Sequence, residues 1–292
     1  MAVNAFIWHE LMTSDPVAAT AFYAGVLGMT GADSGLTDRR YTIVSAGGSP
    51  VGGIMAIGDD AKKMGARPGW MGYIGVADVD AFAAKVKAAG GQVHRAPQDI
   101  PQVGRFAVVA DPHGAGFMLF KGASDTPPPR AAGGTPGHVG WNELHAGDGA
   151  AAFAFYAGLF GWTKDQAVDM GPMGVYQLFA AGGPAIGGIM TKTPETPAPH
   201  WLYYFNVEAA DAAIARIQAG GGRLLNGPMQ VPGGSWIAQC MDPQGRFPDP
   251  AGPHQRALGE PRHAEHGVSR RLHQRRAAGA RGQVGRADGR RL

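Results

Sequence analysis

The 292-residue chain contains a single cysteine, Cys240. That excludes an internal disulfide and any multi-thiolate metal cluster. No basic neighbour activates the thiol, so it reads as a buried structural residue. Charged residues make up only 17% of the chain. No run reaches the roughly 18 apolar residues of a transmembrane helix. The N-terminal MAVNAFIWHELMTSD has no basic segment ahead of a long apolar run, so no secretory signal is read and a cytoplasmic location is expected. Neither GxGxxG after a strand nor GxxxxGK[ST] occurs, which removes the phosphate loops. A Gly-x-Ser-x-Gly elbow is missing as well. What is plentiful is glycine, 47 residues, together with 22 prolines. Such a composition suits many tight turns.

The formal net charge is +3, and its location matters more than its size. The last 47 residues hold eleven arginines and no lysine against four acidic residues, so Met1–Gly245 carries a small negative charge. A basic surface on the body of the protein is therefore not expected; no membrane partner is expected, and nucleic acid is not favoured as a partner.

The body is a duplication. FIWHELMTSDPVAATAFYAGVLGM (Phe6–Met29) matches VGWNELHAGDGAAAFAFYAGLFGW (Val139–Trp162) in one register. AGGSPVGGIM (Ala46–Met55) matches AGGPAIGGIM (Ala181–Met190). Trp70 matches Trp201, AAGGQV (Ala88–Val93) matches AGGGRL (Ala219–Leu224), and DPHG (Asp111–Gly114) matches DPQG (Asp242–Gly245). The offset stays between 131 and 135. A Pro/Gly linker without apolar periodicity separates the copies.

Each copy contains a further, weaker repetition. A short apolar strand leads to Asp15, a helix N-cap with Pro16 at the first helical position, and the helix ends at Gly28. Short β-prone runs follow at Tyr41–Ala46 and Val51–Ile57. The order restarts with a strand at Met71–Val76, a helix opened by Asp78 or Asp80, and strands near Gln92–Ala96, Arg105–Ala110 and Phe117–Lys121. The unit is β-α-β-β-β, twice per copy. One helix per several strands predicts an α+β fold with a curved mixed sheet, helices on its outer face and a free concave face.

FYxxxLG after a strand and a helix N-cap, GG after the second helix, and DPxG before the last strand occur in this order in both copies. Together they resemble the vicinal oxygen chelate superfamily: glyoxalases, bleomycin-resistance proteins and extradiol dioxygenases. The GGIM repeats resemble its two-domain glyoxalase-like subgroup. The resemblance implies glyoxalase-like domains at 1–122 and 138–250, with the linker at 123–137 and an Arg-rich tail at 251–292. Metal-dependent members of such a family use a His/Glu set, which leaves open positions for two substrate oxygens. Counted from the shared motifs, those positions fall on Trp8, Met55, Met71 and Met118 in copy one, and on Trp141, Met190 and Leu202 in copy two. None is a ligand residue. The resemblance thus carries the fold and argues against the metal.

Strand alternation puts Glu10 on the face of Trp8, and Glu143 on the face of Trp141. A carboxylate beside an indole in a half-buried cup can exchange a proton, so Glu10 and Glu143 are the candidate catalytic residues. The candidate ligand-binding residues are Trp8, Tyr41, Met55, Trp70, Met118, Trp141, Tyr176, Met190 and Trp201, with indoles for stacking and methionines as adaptable walls. His9, His145 and His200 read as isolated hydrogen-bonded residues, and His113 as part of its turn. The expected function is binding of a small planar or amphipathic molecule without a cofactor. The alternative is a divalent-metal enzyme (lyase, isomerase or dioxygenase) that recruits metal through His9, Glu10 and Glu143. The expected assembly is a monomer with pseudo-twofold domain pairing, or a homodimer. After Gly245 the closing strand AGFMLFKG has no counterpart, and the text resembles a GC-rich frame read out of phase. A lost last strand is the expectation, and resequencing near codon 246 is its test.

Overall fold

The structure, a computed structural model, describes residues 4–36, 39–63, 65–124 and 134–245, and the backbone of 255–259. The tail expected at 251–292 lies outside the described residues except for that segment. In copy one the elements are β1 (Phe6–Thr13), α1 (Pro16–Leu27), β2 (Thr30–Asp33), β3 (Tyr41–Ala46), β4 (Ser49–Ala56), a short α2 (Asp59–Lys63), β5 (Gly69–Gly75), α3 (Val79–Ala88), β6 (Gln92–Ile100), β7 (Gly104–Ala110) and β8 (Gly116–Gly122). Copy two repeats them as β9 (Val139–Ala146), α4 (Gly149–Phe160), β10 (Thr163–Asp169), β11 (Val175–Ala180), β12 (Ala185–Thr191), β13 (His200–Val207), α5 (Ala210–Ala219), β14 (Arg223–Gln230), β15 (Trp236–Met241) and β16 (Gln255–Gly259).

Local chemistry sets the helix ends. Asp15 accepts from the Val17 and Ala18 amides, and Gly28 closes α1 at φ 67. Asp148 accepts from Ala151, and Gly161 closes α4 at φ 70. Such a cap is worth about 1 kcal/mol. Of the two candidates for α3, Asp78 is the cap. Its counterpart in α5 is Ala209, which offers no side-chain bond.

Each copy forms one eight-stranded mixed sheet. The orders are β2-β3-β4-β1-β5-β8-β7-β6 and β10-β11-β12-β9-β13-β16-β15-β14. The two halves of each copy meet where β1 runs antiparallel to β5 and β9 antiparallel to β13. This is the predicted α+β architecture. The lost last strand is corrected: β16 lies parallel to β13 and antiparallel to β15. It begins ten residues after Gly245, whereas β8 begins two after Gly114. The position is interior, because without it β13 and β15 would have no hydrogen-bonded neighbour between them.

The core is shared between the copies. One cluster joins Ile74, Val86, Phe117 and Leu119 of copy one to Leu144, Tyr156, Phe179 and Trp201 of copy two. The other joins Leu11, Tyr23, Val26 and Ile54 to Phe205, Ile214, Ile217 and Cys240. The first half of each copy thus packs on the second half of the other. His9 and its repeat equivalent Asn142 hydrogen-bond to each other at 3.2 Å. Gly72 and its equivalent Tyr203 do likewise, the Gly72 amide donating to the phenol at 2.7 Å. A residue that touches its own equivalent lies on the symmetry axis. The axis of the pseudo-dimer therefore runs between β1 and β9.

Both shared motifs serve this joint. The DPxG aspartates fold their own turns: Asp111 Oδ1 accepts from the His113 and Ala115 amides, and Asp242 Oδ1 from Gln244 and Gly245. Their second oxygens reach the other copy. Tyr23 donates to Asp242 at 2.8 Å, and Tyr156 to Asp111 at 3.4 Å.

Candidate functional site

The concave face of each sheet carries the same constellation. On β1, Trp8, Glu10 and Met12 alternate with His9 and Leu11, which face the shared core. Trp8 stands opposite Tyr73, Glu10 opposite Met71, and Gly53 lies beside Glu10 on β4. Tyr41 reaches over Gly53, where a Cβ would collide with its ring. The second glycine of GGIM is thus the space the tyrosine occupies. Trp8 Nε1 donates to the Tyr41 hydroxyl at 2.9 Å. Tyr41 and Tyr73 both hydrogen-bond Glu10.

Cup two repeats this arrangement. Trp141 Nε1 donates to the Tyr176 hydroxyl at 2.6 Å. Tyr176 and Tyr204 donate to Glu143 Oε2 at 3.0 and 2.7 Å. Gly188 makes room for Tyr176 as Gly53 does for Tyr41. Glu10 and Glu143 are each only 4% exposed, while Trp8, Tyr41, Trp141 and Tyr176 are half-buried. Each cup therefore has a closed acidic floor beneath a partly open aromatic wall.

Burial pushes the Glu10 carboxyl up to about 7, against the pull of the Tyr73 and Tyr41 hydrogen bonds and the Arg39 charge. Burial, then the nearby Glu10 charge, raises the Tyr41 and Tyr73 phenols well above their ordinary range, so both remain donors. Burial lowers His9 to about 4 although its bond to Asn142 opposes this, so the imidazole at the pseudo-dimer axis is neutral. The Cys240 thiol is pushed up to about 11 by burial, consistent with an inert core residue.

The structure brings Trp8, Glu10, Tyr41, Met55 and Met118 to the concave side of sheet one, and Trp141, Glu143, Tyr176 and Met190 to that of sheet two. Trp70 and Trp201 do not belong there. They pair in register with Leu11 and Leu144, so they face the core. Their indoles donate to Tyr23 at 3.3 Å and Tyr156 at 3.0 Å, extending the joint between the copies.

Two features escaped the sequence reading. Tyr73 and Tyr204 complete the floor; they are repeat equivalents at an offset of 131, and that match was the available signal. His145, read as isolated, lies 2.7 Å from Glu143, its Nε2 facing Oε1.

A His/Glu metal set does not fit these cups. Cup one offers one carboxylate, already engaged by two phenols. Glu143 and His145 of cup two are engaged with each other. His9 faces away from Glu10, which breaks the His9–Glu10–Glu143 arrangement. Among the described residues no group of three or more His, Cys, Asp or Glu side chains is placed to hold a metal ion. No helix among them is long and apolar enough to cross a membrane.

Duplicated βαβββ pairs around two concave sheets define a class, and comparison places the chain in it. The family model described as Glyoxalase/Bleomycin resistance protein/Dioxygenase superfamily matches residues 5–119 and 135–252, and the chain belongs to that family. It is 33% identical over 244 residues to "Putative glyoxylase CFP32" of Mycobacterium tuberculosis, covering 82% of this chain and 90% of that protein. It is 32% identical over 266 residues to anthracycline biosynthesis protein DauV of Streptomyces sp. (strain C5), covering 84% and 91%. A Mn(II)-bound glyoxalase from Novosphingobium aromaticivorans is similar in fold, with a TM-score of 0.60 and 17% identity over 89% of this chain and 84% of that one.

Proposed function

We propose that this protein binds a small planar or amphipathic molecule in each concave cup, without a resident metal. The observation that carries this reading is the twofold occurrence of one floor, Trp–Tyr–Tyr–Glu, from three strands of each sheet. A core needs no such hydrogen-bonded chain ending on a buried carboxyl, and burying that carboxyl costs several kcal/mol unless its bonds are met. The half-buried indole and the methionine wall, Met55 partly open and Met118 and Met190 buried, supply apolar contact. The carboxyl supplies one polar anchor for a ligand hydroxyl or carbonyl. A relative named for anthracycline biosynthesis points the same way, since anthracyclines are flat, hydroxylated aromatic molecules. Glu10 with its carboxyl near 7 is also suited to proton exchange, which favours acid–base turnover of such a ligand as a second reading. A cytoplasmic location fits an apolar metabolite, and the internal pseudo-dimer fits a working unit of one chain.

The test is a fluorescence titration with 7-hydroxycoumarin in excess chelator. Saturable quenching of the cup tryptophans is expected, weakened tenfold or more in the E10Q/E143Q double variant. Binding that is unchanged in a folded double variant, or absent in the wild type, overturns the reading.

A further inference from the structure

The cups share a floor but differ in their walls. In cup one Met12 on β1 pairs with Gly69 on β5. At the same two places cup two has His145 on β9 and His200 on β13. The two imidazoles stack in parallel, 5.0 Å between centroids and 2° between planes. His145 Nε2 lies 2.7 Å from Glu143 Oε1, while the phenols of Tyr176 and Tyr204 occupy Oε2. Where Glu143 is ionised its Oε1 only accepts, so Nε2 takes the donor role and Nδ1 of a neutral ring keeps a lone pair. That Nδ1 is buried and has no hydrogen-bond partner among the described residues. A buried acceptor left without a partner is a cost to the fold that a donor brought by a ligand recovers. The side chain remains 14% exposed, although Nδ1 itself is buried.

Resting on the ligand-binding reading above, we propose that cup two holds an imidazole proton-transfer site that cup one lacks, in which His145 accepts a proton from the phenolic or enolic hydroxyl of a bound planar ligand. The ligand O–H bond breaks and an Nδ1–H bond forms. The electron pair stays on the ligand oxygen, and nothing is oxidised or reduced. The product is an imidazolium held between the Glu143 carboxylate at Nε2 and the ligand oxyanion at Nδ1. Such a carboxylate–imidazole pair both orients the ring and stabilises its charge. The Met12 thioether of cup one has no proton to exchange. Among the described residues His145 meets Glu143 on its own strand and His200 on β13, Glu143 is bonded in turn by Tyr176 from β11 and Tyr204 from β13, and Arg256 on β16 stands in register with Tyr204.

Copy one supplies the control for copy two. The experiment records the phenolate absorption band of bound 7-hydroxycoumarin at a pH where the free probe is protonated, with tryptophan quenching as the independent measure of binding. The wild type is expected to show the phenolate band. H145M, which gives cup two the residue of cup one, is expected to lose at least nine-tenths of it while still quenching. H145Q, which keeps a side-chain amide near Glu143, guards against misfolding and is expected to behave the same. Long-range ¹⁵N NMR is expected to show His145 as the Nε2–H tautomer in free protein and doubly protonated in the complex. A phenolate band retained in folded H145M and H145Q overturns the proposal, as does a His145 that stays neutral while the probe ionises. Failure of the wild type to bind the probe is a different result: it overturns the ligand-binding reading, and this inference with it.

Discussion

Two buried titratable groups sit back to back on β1, and they load the fold in opposite directions. His9 takes a proton near 6.5 when unfolded and near 4 when folded. Its contribution is therefore whole above pH 6.5 and lost as pH falls toward 4. Glu10 ionises near 4.5 unfolded and near 7 folded. Its contribution is whole below pH 4.5 and lost as pH rises toward 7. Each swing is about 3 kcal/mol, and between pH 4.5 and 6.5 they cancel. Urea denaturation across this range is expected to be nearly flat for the wild type as far as these two groups decide it. H9N should uncover the Glu10 limb, losing about 3 kcal/mol as pH rises from 4.5 to 7, and E10Q should uncover the rise from 4 to 6.5. Parallel profiles for the three proteins would contradict this. A second residue concerns the joint. Y23F leaves a buried oxygen of Asp242 without its phenol and should cost about 1–3 kcal/mol in the same assay; an unchanged midpoint would mean the bond carries nothing. Alternation on one strand made Trp8 and Glu10 legible. Trp70 misled because a tryptophan on a strand next to a cup has two faces to choose from, and its pairing with Leu11 puts it on the core side.

At the scale of elements, the helix caps, the βαβββ order and the concave sheets followed from Asp–Pro caps, glycine stops and short β-prone runs. The role of GGIM did not. The β-prone runs were placed there, but nothing in them gave the glycines a purpose: they lie within β4 and β12, where the ring of a tyrosine from the neighbouring strand fills the missing side chain. G188A is therefore expected to displace Tyr176, breaking its bonds to Trp141 and Glu143 and costing about 1–3 kcal/mol as an overpacked site. Loss of 7-hydroxycoumarin binding in cup two with the fold retained checks this, and a variant with both intact would refute it. The closing strand was missed for a plain reason. QRALG has little apolar content and lies well beyond the DPQG turn, while an interior strand is normally apolar on at least one face. Its backbone pairing, rather than its composition, gives it its place.

For the whole molecule, the duplication was visible in the sequence, but the way the copies depend on each other was not. Periodicity identifies a buried face without naming what buries it. Here both large clusters are built from residues of each copy, so residues 1–122 alone lack a large part of both cores. That fragment is expected to be unfolded or to pair with itself, and mixing it with 134–292 should restore a cooperative transition; a stable monomeric fragment, by analytical ultracentrifugation and circular dichroism, would refute the shared core. The same symmetry gives the central claim its sharpest measure, which is the number of sites. Isothermal titration of the full chain with 7-hydroxycoumarin in excess chelator is expected to reach two probe molecules per chain, in two classes of site because only one cup carries the imidazole. No binding, or binding that arises only when a divalent metal is added back, would contradict the account.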